Sequence, residues 1–216
     1  MFNINREESF WQSISDLMTG LMVVFVFVSL GFLYQINKVR NDYNSVKEQI
    51  NIALVEEFKM ENNVYRGIEI DPDTLKVIFR EPSVYFEDDS YVVKPAFKEL
   101  LKDFFPRYCK VLKRFDKNIQ EIRIEGHASN TYNGDPNSVE AYYYNMDISQ
   151  NRAFNVLKYC YSATPENYRP WLKSKLRANG ASFSNAVADE AASRCVVISI
   201  VRNADEVVQK FGTEFK

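Results

Sequence analysis

The sequence predicts an α+β protein: one N-terminal transmembrane helix, a linker helix and a soluble domain of strand–helix–strand–helix–strand (βαβαβ) order. Three observations predict it. Residues 14–33 form an almost purely apolar block. Apolar residues then recur at helical spacing through a charged stretch that ends near residue 61. Beyond it, segments 75–79, 119–125 and 194–201 carry the apolar pattern of strands, and helix-patterned segments separate them. The expected boundaries are a tail over 1–12, the span over 13–35, the linker over 36–63, the domain over 64–204 and a second tail over 205–216.

Composition bounds the function. The 216 residues suit one ordinary domain with an appendage, and 26% are charged at a mean hydropathy of −0.33, so most of the chain is water-compatible. A net charge of −2 with no Lys/Arg run leaves no electrostatic footprint for nucleic acid. One histidine and three cysteines without a C-x-x-C argue against a zinc site, and no cofactor is expected. In an oxidising compartment two of Cys109, Cys160 and Cys195 have the means to pair, with three pairings open.

The first element is the span. Ile14 to Leu33 is about 20 residues, enough at about 1.5 Å per residue to cross roughly 30 Å of hydrocarbon. Phe10 and Trp11 suit the aromatic belt where it begins. Its core exceeds the usual length for a signal peptide, Arg6, Glu7 and Glu8 are not net basic, and no Ala-x-Ala follows, so an uncleaved anchor is expected. Lys38 and Arg40 after the span favour, by the positive-inside rule, an outward N-terminus. From Leu17 to Leu33 the only polar side chains are Thr19 and Ser29, and just before them stands Asp16. Two readings of that carboxylate are open: an interfacial residue reaching the headgroups, or an ion-carrying site facing a protein partner.

The linker carries Ile36, Val39, Tyr43, Val46 and Ile50 at spacings of 3, 4, 3 and 4. That is either a short seam pairing two tethered copies or an amphipathic helix lying on its own domain. Asn62 and Asn63 end it. Leu75 to Phe79 is the first strand, closed by Glu81 and Pro82; Tyr85 and Phe86 lead into a turn, Glu87 to Ser90. Pro95 to about Leu112 is a helix with Phe97, Leu100, Leu101, Phe104 and Phe105 on one face. Ile119 to Glu125 is a strand closed by Gly126 and His127, a polar loop runs to about Tyr142, and a helix is expected from about Ser149 to Tyr161. Arg194 to Val201 is the last strand, which completes helices on one face of a small mixed sheet.

Ile122 to His127, then Asn145, Ile148, Ser149, Arg152 and Ala153, resembles the OmpA C-terminal/MotB family of peptidoglycan-binding domains. There a strand ends in Gly-His and an Asn-x-x-Leu-Ser-x-x-Arg-Ala run opens the next helix. The likeness covers about 130 residues and implies an OmpA-like fold that binds the cell wall. Arg152 is expected to clamp a stem-peptide carboxylate, helped by the positive end of a helix, with Asn145 orienting the peptide, Ile148 in the motif and Tyr144 as a flanking wall. The family's Thr-Asp after Gly-His is here Ala128-Ser129, and the following loop is longer. Recognition of the ligand's amine therefore passes to Asp147, weakens, or depends on that loop. His127 is read as structural, and no nucleophile–base–acid set surrounds it, so no enzyme is expected.

A wall-binding domain places the C-terminal part in the periplasm and the N-terminus in the cytoplasm, against the charge bias. Asp16-Leu-Met-Thr-Gly-Leu-Met22 is similar to the Asp-x-Met-Thr-x-x-Met of MotB-type stator spans, and the run from Phe10 to Met18 is similar to the MotB-like subunits of Zorya anti-phage defence. The resemblance implies an inner-membrane homodimer inside a ring of a MotA-like partner (ZorA), driven by protons or sodium ions, with Asp16 carrying the ion. Thr19, one turn on, has three readings open: donating to that carboxylate, lining the ion path, or bonding back to its own helix. The alternatives are a flagellar-type stator subunit and a passive peptidoglycan tether.

Overall fold

The computed structural model describes residues 4–79, 85–87, 90–128, 132, 134–182 and 195–203, with side chains from residue 10 onward. The expected strand end at Glu81 and Pro82, together with Asp88, Asp89, Ser129, Asn133, Arg194 and the C-terminal tail, lies outside the described residues. The chain divides into two compact units, within residues 1–45 and over 46–206.

The first unit is supplied by α1 (Ile4–Phe58). No proline precedes Pro72, so nothing breaks the backbone ladder between the expected span and linker, and the two are one helix. Its apolar side chains are open on all sides, Leu17 at 73% and Phe25 at 70% exposure, and it is long and apolar enough to cross a membrane. The Thr19 and Ser29 hydroxyls donate to the carbonyls of Ser15 and Phe25, each at 2.8 Å, so neither is left unsatisfied in an apolar surround.

The second unit begins with the end of the same helix. Ile50, Ala53, Leu54 and Phe58 fall on one helical face and are buried in the domain core. The heptad-like seam therefore divides: Ile36 and Tyr43 are exposed, whereas Val46 packs on the core and Ile50 is wholly inside it. Left-handed Lys59, Asn62 and Asn63 (φ 50°, 52° and 61°) end the helix where the asparagine pair predicts.

The strands β1 (Val64–Tyr65) and β2 (Ile68–Ile70) follow as a hairpin whose two turn residues, Arg66 and Gly67, have φ of 48° and 81°, the type I′ signature. Two and three residues are too short to show alternation, so this hairpin is not legible in the sequence. The strand expected from Leu75 starts later, as β3 (Val77–Phe79), because Leu75 is a left-handed turn residue at φ 59°. Then come α2 (Pro95–Lys113), β4 (Ile119–Gly126), α3 (Val139–Ala163), α4 (Arg169–Lys175), β5 (Leu176–Gly180) and β6 (Val196–Arg202). All five apolar residues expected on one face of α2 are buried.

The sheet has the order β1-β2-β3-β6-β4-β5, with β4 and β5 parallel and every other pair antiparallel. A parallel pair needs a crossover, which α3 and α4 provide. Ile122 and Ile124 of β4 and Val196 and Ile198 of β6 meet α1, α2 and α3 in one core, while Glu121, Arg123 and Glu125 lie on the opposite face of β4. Aromatic pairs fill the centre: Phe58 stacks on Phe104 at 4.6 Å and Tyr85 on Phe97 at 4.2 Å.

One helix boundary matters for function. α3 starts ten residues before the expected Ser149, with Ser138 as N-cap accepting from the Ala141 amide at 3.1 Å. The signal is present as Ser138 followed by inward-facing Ala141, Asn145, Ile148 and Arg152, and the preceding Asn-Gly-Asp-Pro run masks it.

Candidate functional site

The residues singled out on α3 divide into a buried face and an exposed shoulder. Asn145, Ile148, Ser149 and Arg152 are buried; Tyr144 is 39% exposed and Asp147 is open to solvent. Arg152 is only 6% exposed, yet its Nε donates to the Ser90 carbonyl at 2.8 Å and its guanidinium carbon lies 5.1 Å from the centre of the Phe86 ring. A carbonyl and an aromatic face thus hold a planar five-donor fork in one orientation. The expectation that Arg152 sits near a helix start is corrected: it lies about three and a half turns into α3. The helix-end field fades within one turn and does not assist it.

Asn145 turns inward, its Nδ2 donating to the Ala141 carbonyl of its own helix at 2.9 Å. Asp147 accepts from Asn151 at 3.0 Å, and the Tyr144 ring packs 5.5 Å from that of Tyr132. The structure therefore brings Arg152, Phe86 and the Ser90 carbonyl together, whereas Tyr144 and Asp147 stand on the exposed shoulder of α3, eight and five residues before Arg152. Sequence reasoning did not assign Phe86 or Ser90 to the site, because a backbone carbonyl has no residue signature.

Glycines set the depth of α3. Gly126 and Gly180 are paired in register at the ends of β4 and β5. A Cβ on Gly126 would fall on the Ser149 carbonyl, and one on Gly180 would come within 2.7 Å of the Gln150 amide. Gln150 and Ser149 then accept from the amides of Gly180 (2.5 Å) and Ser182 (3.0 Å), which locks the turn that precedes Arg152. Gly126→Ala is expected to lower unfolding stability by about 3 kcal/mol, the upper end for overpacking, read as a fall in the denaturant midpoint.

His127 is buried, its amide donating to the Cys195 carbonyl at 2.9 Å, while its Nε2 has no hydrogen-bond partner. That nitrogen stands 3.8 Å from a Glu125 carboxylate oxygen. The His127 imidazole, the Ser199 hydroxyl and the Arg123 guanidinium hold the Glu125 carboxyl below its usual range, against the opposing effect of burial. Cys109 and Cys160 are buried free thiols whose ionisation burial suppresses, and Cys195 is a half-buried free thiol. Among the described residues no cluster of His, Cys, Asp or Glu has the makings of a metal site.

In α1, Asp16 is exposed on the apolar segment and is its only charged side chain between Ser9 and Asn37. Thr19 lies one turn on, with its hydroxyl proton engaged by Ser15 rather than by Asp16.

Residues 85–194 match the model of the OmpA family. The chain is 38% identical to the Zorya protein ZorB of Escherichia coli, over 97% of this chain and 95% of that one. Among solved structures, it is similar to a periplasmic domain of Helicobacter pylori MotB at TM-score 0.49 and 15% identity, covering 72% of this chain and 95% of that one. It is also similar to the cell wall anchor of the T6SS from Pseudomonas aeruginosa at TM-score 0.45 and 21% identity, covering 73% and 99%.

Proposed function

This chain belongs to the OmpA family and, over nearly its whole length, to the family of the Zorya protein ZorB, and from that premise we propose that it is the wall-anchored, ion-carrying subunit of a Zorya membrane motor. Two copies sit inside a ring of the MotA-like partner ZorA, with the N-terminus in the cytoplasm and the OmpA-like domain in the periplasm gripping peptidoglycan. Asp16 takes up and releases a proton or sodium ion, and its change of charge alters how the helix sits against its partners, which is the two-state element that a rotary step requires. No catalytic chemistry on a substrate is involved.

The observation that carries this reading is the lone carboxylate of Asp16 on the otherwise uncharged apolar segment between Ser9 and Asn37, in the same chain as a pre-oriented, nearly buried Arg152. Charge on a spanning segment is costly and is retained where it does work. Arg152 clamps a stem-peptide carboxylate through its fork, Ile148 and Tyr144 flank it, Asn145 braces the helix beneath it, and Asp147 is the acid on the shoulder available to an amine.

Pull-down of the full chain in detergent with purified sacculi tests the wall site. Arg152→Ala is expected to weaken binding by about tenfold or more, as for loss of one charge-assisted hydrogen-bonding group. Arg152→Lys keeps the charge but loses the fork and is expected to bind weakly too. Thermal melts of both variants separate a lost contact from a lost fold. Undiminished binding by both would remove Arg152 from the site.

A further inference from the structure

A groove of about 530 Å³ opens beside the Arg152 site, lined by Val92, Val93, Lys98, Asn155, Lys158 and Tyr159, with Ser162 at its end. One backbone strap joins the two places. Its Ser90 carbonyl receives Arg152, and its next carbonyl, Tyr91, accepts from Asn155 Nδ2 at 2.8 Å. The strap then forms one wall of the groove through Val92 and Val93. On α3, Asn155, Tyr159 and Ser162 follow Arg152 at helical spacing, so the groove runs along the helix away from the clamp.

Its charge is not neutralised from within. Lys98 and Lys158 have no ion-pair partner among the described residues; Lys158 Nζ rests over the Phe154 ring at 4.3 Å. Glu99 is an acid whose charge bears on Tyr159, while the lining residues themselves include two lysines and no carboxylate. Asn155, Tyr159 and Ser162 add amide and hydroxyl groups around an apolar floor.

The geometry points to a second carboxylate subsite: the groove receives the terminal carboxylate arm of the same wall peptide whose first carboxylate Arg152 holds. This rests on the wall-binding reading above and adds to it a direction for the bound peptide along α3 and a preference for peptides with a free terminal acid. Two exposed lysines give a modest, salt-screened attraction, so the preference amounts to about tenfold at low salt and shrinks as salt rises.

The test measures binding of the full chain in detergent to two soluble disaccharide-peptide fragments of the wall that differ only in the terminal group, free carboxylate or amide. The wild-type chain is expected to bind the free acid about tenfold tighter, and the Lys98→Gln/Lys158→Gln double variant to bind both fragments alike while still pulling down with sacculi through Arg152. A double variant that keeps the full preference overturns the second subsite and leaves the Arg152 clamp standing. A wild-type chain that binds sacculi but does not distinguish the fragments overturns it equally. A wild-type chain that binds neither sacculi nor fragments overturns the wall-binding reading itself, and the subsite with it.

Discussion

Asp16→Asn is expected to abolish anti-phage protection, leaving infected cells no better defended than cells lacking the chain. The substitution keeps the side-chain volume and removes the carboxylate that the proposed motor would use to exchange an ion. Asp16 is exposed on its helix, so the change leaves α1 itself undisturbed. Membrane yield, co-purification with the ring partner and sacculus binding through Arg152 are therefore expected to match the wild type. The combination decides between mechanisms. A passive tether needs Arg152 and its domain but not the carboxylate, so full protection by the Asp16→Asn strain would end the motor reading and leave the tether. A flagellar-type role is separated by motility, which deletion of this chain is expected to leave intact. Thr19 enters differently: with its hydroxyl bonded to Ser15, Thr19→Val removes a helix back-bond rather than a partner of Asp16.

The second large effect concerns where the soluble domain begins. A fragment cut within the last residues of the expected linker, residues 62–216, is expected to show no cooperative thermal transition, whereas 46–216 is expected to melt as a unit. The cut removes Ile50 and Leu54, both fully buried, with Phe58 at 2% exposure. It also removes the ring stacked on Phe104 and the Glu57 groups that receive Arg107, whose guanidinium lies 4.5 Å from the Phe58 ring centre. Burying three such side chains contributes about 5–9 kcal/mol, against a total domain stability of about 5–15 kcal/mol. Equal melting temperatures for the two fragments would show that the end of α1 only rests on the domain.

Much of the fold is legible because its signals are local. The span, the apolar face of α2 and the alternation in β4 each follow from a period read within one segment, and each is present as expected. What the sequence does not show is short or distributed. The β1–β2 hairpin is too brief to display a period, and β5 is organised by its register with β4 more than by its own composition. The start of α3 is hidden by turn residues just ahead of its cap.

The candidate site divides along the same line. Asp16 is nameable from its residue type and its place in the apolar block, and Asn145, Ile148 and Arg152 from the family motif they match. The depth of Arg152, the carbonyl that holds it and the groove beyond it are not. The Arg152–Ser90 bond joins positions 62 residues apart, and one of its ends is backbone. By itself the sequence determined an apolar segment long enough to cross a membrane, with one acid on it, and an α+β domain carrying one arginine in a family motif, since side-chain chemistry and periodicity are properties of the chain. Only the tertiary structure decided that the linker's end belongs to the domain core and that the arginine is buried and braced at mid-helix, because both depend on which distant surfaces exclude water together.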